Sequence, residues 1–201
     1  MPFIDVDELD VKNARVVFQG AEGAYSHMAM LRYFGEEVNC FHVDTFRDAM
    51  CAIEEGNADF AVLPIENSYA GEVGQTIDLI FSGNLYINGI YELEIHQNLL
   101  GLPDATVDDI RKVTSHPQAL GQCHDYIKLR GFDVEEANNT AIAAKTVAEL
   151  KDKSLGAVAS VETAEIYGLK VLEANINKSG ENTTRFAVLS KVRADAPSLS
   201  N

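Results

Sequence analysis

Positive charge is scarce in this chain. Sixteen lysines and arginines face 31 aspartates and glutamates, a formal net charge of −15 over 201 residues. Phosphate backbones and anionic membrane surfaces are repelled by such a balance, which excludes nucleic acid as the expected partner. Any anion site must be local, built from a few Arg or Lys and from helix N-termini. Cysteine is also sparse. Cys40, Cys51 and Cys123 are odd in number and lack a CxxC pair, so they read as reduced thiols and not as a disulfide framework. His27, His42, His96, His116 and His124 show no paired ligand spacing, and no metal site is expected. No apolar run approaches a membrane span. Met1–Asn13 is acidic and lacks a signal peptide's basic start and apolar stretch, which makes the cytoplasm the expected location. That segment and the tail Arg193–Asn201 read as linkers or chain ends, poor in core residues.

What is present is a regular alternation of strand, loop and helix. With 46% apolar residues the chain can bury a core as one domain or as two small lobes. Strands are predicted at Arg15–Phe18, Cys40–Val43, Phe60–Ile65, Lys112–Thr114, Phe132–Glu135, Gly156–Ala159, Lys170–Leu172 and Arg185–Ser190. Tyr86–Leu102 reads as one or two long strands, long enough to cross between lobes. Helices are predicted from about Ser26 to Phe34, from a Thr45/Asp48 capping box to before Gly56, after the polar loop Glu66–Gly71 to about Phe81, over Pro117–Leu129, over Thr140–Leu150 and over Val161–Tyr167. Thr106 with Asp109 forms a second capping box. This alternation predicts parallel sheets with helices on their faces, and sites at the carboxyl ends of strands.

Four segments carry polar groups at such positions. Gln19–Ser26 joins a strand to a helix through Gly20 and Gly23; its spacing is neither a Walker loop nor a full GxGxxG, and its plainer reading is a tight turn with Ser26 as a cap. Pro64-Ile65-Glu66-Asn67-Ser68 ends a buried strand in polar residues, which either line a site or cap the next helix. Ser115-His116-Pro117-Gln118-Ala119-Leu120-Gly121-Gln122-Cys123 also joins strand to helix; Ser115 or His116 is placed to cap, Pro117 suits the first helical turn, and His116 reads as a plain hydrogen-bonded histidine. Asn182-Thr183-Thr184-Arg185-Phe186 offers two hydroxyls and a guanidinium suited to a carboxylate, with a surface arginine on a β-edge as the alternative.

Taken together, these segments resemble the catalytic domain of prephenate dehydratase. The resemblance runs from about Val16 to Leu189 and rests on five pieces in order: Gly20-x-x-Gly23-x-x-Ser26, Pro64–Ser68 followed by Gly71, Ser115–Cys123, Thr140-Ala141-x-Ala143-Ala144, and Asn182-x-Thr184-Arg185-Phe186. It implies two α/β lobes with mostly parallel sheets, like type II periplasmic binding proteins, with the active site in the interlobe cleft. The first lobe would comprise residues 1–92 plus 178–201 and the second 93–177. No ACT domain and no chorismate mutase region are expected, and therefore no feedback control by phenylalanine.

The implied activity is that of a carbon–oxygen lyase of phenylalanine biosynthesis, turning prephenate into phenylpyruvate, water and carbon dioxide without cofactor or metal. The likeness makes Thr184 the donor to the leaving hydroxyl. A threonine is a weak acid, so a neighbour or water would relay the proton, with Glu66 as the candidate relay. Arg185 would either bind a substrate carboxylate or brace the lobes. Asn67, Ser115, Gln122, Ser26 and Thr183 would bind substrate, helped by backbone amides after Gly23. A homodimer or homotetramer is expected. Two alternatives stay open: an arogenate dehydratase, and a non-catalytic small-anion binding module of the same fold.

Overall fold

A computed structural model describes residues 13–177 and 182–192. The expected linkers at Met1–Asn13 and Arg193–Asn201 lie, apart from Asn13, outside the described residues. The elements in chain order begin β1 (Arg15–Gln19), α1 (Tyr25–Phe34), β2 (Asn39–Val43), α2 (Phe46–Glu54), β3 (Phe60–Asn67), β4 (Gly71–Glu72), α3 (Gly74–Ser82), β5 (Tyr86–Glu94) and β6 (Asn98–Gly101). They continue β7 (Lys112–Ser115), α4 (Pro117–Gln122), α5 (His124–Arg130), β8 (Asp133–Glu136), α6 (Thr140–Leu150), β9 (Leu155–Ala159), α7 (Val161–Tyr167), β10 (Lys170–Glu173) and β11 (Thr183–Ser190).

The chain divides into two compact units. Of the described residues, the first holds 13–20, 25–93 and 183–192; the second holds 21–24, 94–177 and 182. A four-residue piece of the first strand–helix loop therefore belongs to the second unit, a feature that linear reading did not contain.

The first unit is a sheet in the order β2-β1-β3-β11-β5, with β4 paired to β3. Its middle is parallel, β1 with both β2 and β3. Strand β11 pairs antiparallel with β3, because the chain enters from the other unit at Thr183 and runs back along the ladder. Period-2 alternation sends side chains to two cores. Val17, Ala61, Leu63, Ala187 and Leu189 pack with Ala49, Met50 and Ile53 of α2. Val16, Phe18, Phe60, Val62, Phe186 and Val188 pack with Ala29 and Met30 of α1. A sheet covered on both faces explains the unbroken apolar run at the start of β3. Each fully buried Val, Leu, Ile, Phe or Met side chain among them contributes about 1.5–3 kcal/mol.

The second unit is a sheet in the order β10-β6-β9-β7-β8. Strand β7 is parallel to β8 and β9, whereas β6 is antiparallel to β9 and β10. Leu99, Val113 and Val158 meet Leu120, Cys123 and Ile127 on one side. Leu100, Ala157 and Ala159 meet Ala143, Ala144, Val147 and Ala164 on the other. Small alanines let α6 lie close to the sheet.

The Thr45 and Thr106 caps form as expected. Helix α6 starts under an Asn139 cap, and α7 runs from a Ser160 cap to Gly168 at φ 65°. Tyr86–Leu102 forms two strands, β5 and β6, one of the two forms expected of it. Two local expectations are corrected. Glu66 and Asn67 extend β3 instead of forming a loop, because β11 and β4 both pair with them. The single helix over Pro117–Leu129 is interrupted at Cys123, whose ψ of 9° leaves the helical range beside the weak helix former Gly121. Among the described residues, no helix is long and apolar enough to cross a membrane.

Candidate functional site

In the first unit the polar residues meet at one end of the β3/β11 ladder. Thr184 lies opposite Asn67 and Arg185 opposite Glu66, and then Phe186 lies opposite Pro64. Ile65 is thus one residue too many, a β-bulge in β3. Its effect on side-chain direction is decisive. Strict alternation from Phe60, Val62 and Pro64 would set Glu66 on the face of Thr184, Phe186 and Val188. The extra residue shifts the parity, so Asn67 takes that place and Glu66 turns to the other face with Arg185.

On the first face, the Asn67 side-chain oxygen accepts from the backbone N–H groups of Tyr69 (3.0 Å) and Ala70 (2.9 Å). That fixes which end of the amide is which. Its nitrogen donates to Thr184 Oγ1 at 2.9 Å. Both side chains are buried, Asn67 at 5% exposure and Thr184 at 9%. Thr184 Oγ1 is therefore an acceptor toward Asn67 and keeps its own proton for another partner. The strand ends are zipped by Ser68, whose N–H donates to Thr183 O and whose Oγ accepts from Thr183 N–H, each at 2.9 Å.

On the opposite face, Arg185 is exposed and sits between two carboxylates, Glu66 at 3.2 Å and Glu92 at 3.1 Å. The structure thus brings Glu66 to Arg185 and not to Thr184. A guanidinium flanked by two carboxylates has a net negative neighbourhood and is poorly set to receive a third. Ser26 is buried in the first turn of α1 instead of preceding the helix.

In the second unit Gln122 is the last residue of α4 and is 6% exposed. Its Oε1 accepts from Gln97 Nε2 (3.2 Å) and from Asn182 Nδ2 (3.1 Å). Ser115, at the end of β7, is fully buried and gives its hydroxyl proton to Val158 O of β9 at 2.6 Å, so it braces the sheet. His116 caps α4 by accepting from Gln118 N–H on Nδ1. Burial lowers its pKa, against a smaller raising pull from Glu136. The glycine loop is seated on α7: Thr163 Oγ1 donates to Gly23 O (2.8 Å) and Tyr167 OH to Glu22 O (2.9 Å). Within that loop the Ala24 N–H is spent on Ala21 O.

Sequence reasoning missed Gln97 altogether, and singled out Asn182 only as part of a motif. Their partner Gln122 is 25 and 60 residues away. No local spacing announces such contacts; a glutamine at the head of a buried strand was the only signal. Among the described residues no group of three or more His, Cys, Asp or Glu could hold a metal ion.

Residues 16–194 match the family model described as prephenate dehydratase. The chain is 41% identical over 184 residues to the arogenate dehydratase/prephenate dehydratase 1 of Arabidopsis thaliana, covering 90% of this chain and 46% of that protein. It is 39% identical over 181 residues to the prephenate dehydratase of Methanocaldococcus jannaschii, covering 89% of this chain and 65% of that one. A solved structure described as GqqA, a quorum-quenching acylase, is similar at 36% identity and a TM-score of 0.80, over 91% of this chain and 66% of that chain. The chain thus spans about half the length of the plant relative and under two thirds of the archaeal one.

Proposed function

Since the chain belongs to the prephenate dehydratase family, we propose that it converts prephenate to phenylpyruvate, water and carbon dioxide. The observation that carries this reading is the hydrogen bond from Asn67 Nδ2 to Thr184 Oγ1, because it leaves the hydroxyl proton of Thr184 available. The chemistry is a decarboxylative elimination. The bond from the ring to its carboxylate breaks, its electron pair becomes a ring π bond, and the ring hydroxyl departs as water once protonated. Aromatisation drives the step. The enzyme's share is to orient the substrate and to hydrogen-bond the departing oxygen.

Thr184 supplies that hydrogen bond. A threonine is too weak an acid to end the step deprotonated, so as its proton passes to the departing oxygen a solvent water gives one back to it. Glu66 is occupied by Arg185 and takes no direct part in this account. Arg185 braces Glu66 and Glu92 within the first unit. In the second unit Gln122 offers N–H donors to a substrate oxygen. Cytoplasmic location and a homodimer or homotetramer complete the proposal; the absence of a membrane-length apolar helix among the described residues is compatible with the first, and the exposed Phe81 and Leu129 with the second.

The name of the Arabidopsis relative favours one second reading, elimination on arogenate. The acylase description of the solved structure is less well supported. Acyl transfer needs a hydroxyl paired with a base, and no hydroxyl among Ser26, Ser115, Thr183 and Thr184 bonds a histidine or carboxylate. The test is to incubate the purified chain with prephenate and separately with arogenate, following phenylpyruvate and phenylalanine. Faster release of phenylpyruvate from prephenate supports the proposal. Faster turnover of arogenate moves the activity to that substrate, and binding without either product makes the chain a binding module.

A further inference from the structure

An amide side chain is ambiguous as a recognition element, because it can turn either its oxygen or its nitrogen to a ligand. In the structure Gln122 turns its oxygen toward its neighbours. Two donors, Gln97 Nε2 and Asn182 Nδ2, converge on its Oε1 and take up both lone pairs of that oxygen. Its Nε2 hydrogens have no partner among the described residues, so the side chain can only donate. The backbones of both clamping residues are held. Gln97 is 2% exposed, its backbone N–H donates to Asn177 Oδ1 (3.1 Å) and its carbonyl accepts from Ile176 N–H (2.8 Å). The Asn182 carbonyl accepts from Ile95 N–H at 2.7 Å. Asn182 also directly precedes the Thr183–Thr184 pair, so the same stretch of chain that ends this clamp begins β11.

We propose that Gln97 and Asn182 are positioning residues that lock Gln122 as a one-way donor, which selects an anionic or carbonyl oxygen of the substrate and disfavours a donor group at that point. This rests on the reading that Gln122 contacts substrate. It predicts that the clamp acts only through Gln122. A buried hydrogen bond to a charged oxygen is worth about tenfold or more in binding, so Gln122→Ala should raise KM for prephenate by about tenfold. Gln97→Met and Asn182→Leu, which keep volume but cannot donate, should each raise KM by about three- to tenfold while kcat stays within about twofold.

The deciding experiment is a double-mutant cycle on the full chain, with KM, kcat and thermal midpoint measured for each variant. The expected result is that neither clamp substitution raises KM further once Gln122→Ala is present. Should Gln122→Ala raise KM while Gln97→Met and Asn182→Leu leave it unchanged, or should the effects simply add, the clamp is refuted and the substrate role of Gln122 stands. If Gln122→Ala itself leaves KM unchanged, the substrate role falls and the clamp with it. Asn182 is only partly buried, so Asn182→Leu carries the test should Gln97→Met fail to fold.

Discussion

Thr184 and Arg185 are neighbours on one strand, yet their surroundings are opposite. Thr184 is 9% exposed, receives one directed hydrogen bond from a buried amide, and keeps its proton. Arg185 is exposed and shares its charge between Glu66 and Glu92. Alternation along a strand makes adjacent side chains diverge, and the bulge at Ile65 decides which partner each receives. A one-residue insertion in β3 gives the hydroxyl a neutral amide instead of a carboxylate. That matters chemically: a carboxylate beside Thr184 would accept its proton, whereas the Asn67 nitrogen can only donate to it.

The contrast can be broken by substitution on either face. Thr184→Val removes the donor at near-constant volume, and turnover should fall by about 10²–10⁴ with the fold intact by circular dichroism. Asn67→Ala leaves the hydroxyl free to rotate, and kcat should fall by about tenfold, with a stability loss of about 1–2 kcal/mol in denaturant melts from the bonds to Tyr69 and Ala70. Gly23→Ala probes the loop seated in the second unit. At φ 86° a side chain is strained, and the added Cβ would meet Thr163 and Ile166 at 3.2 Å, so unfolding free energy should drop by about 1–2 kcal/mol. Arg185→Met opens only an exposed ion cluster, whose loss should cost under about 1 kcal/mol in the same melts, less at high salt.

The smallest effect concerns pH. Burial holds His116 below its ordinary 6.5, so the unfolded chain takes up the proton first as pH falls. The stability due to neutral His116 is complete above 6.5 and is lost as pH drops through the lower folded-state value. Denaturation midpoints of the wild type should therefore fall more steeply below 6.5 than those of His116→Asn, which keeps a capping side chain.

Where local chemistry fixes an element, the sequence was enough to read it. Thr140–Leu150 and Val161–Tyr167 have the predicted bounds because Asn139, Ser160 and Gly168 mark them by their own hydrogen bonds and φ. Non-local contacts were not legible. The bulge at Ile65 follows from pairing with β11, more than a hundred residues on, and it moved Glu66 away from Thr184. Gln97 entered the site only through α4 and Asn182. Alternation along a strand was legible, and it already separates the directions of the adjacent Thr184 and Arg185 side chains.

The most direct test sets the two faces side by side: kcat on prephenate for Thr184→Val and Arg185→Met, prepared and assayed together. Turnover should collapse in the first variant and persist within a few-fold in the second. Persistent turnover in Thr184→Val with collapse in Arg185→Met would contradict the account and return the chemistry to the face that carries Glu66.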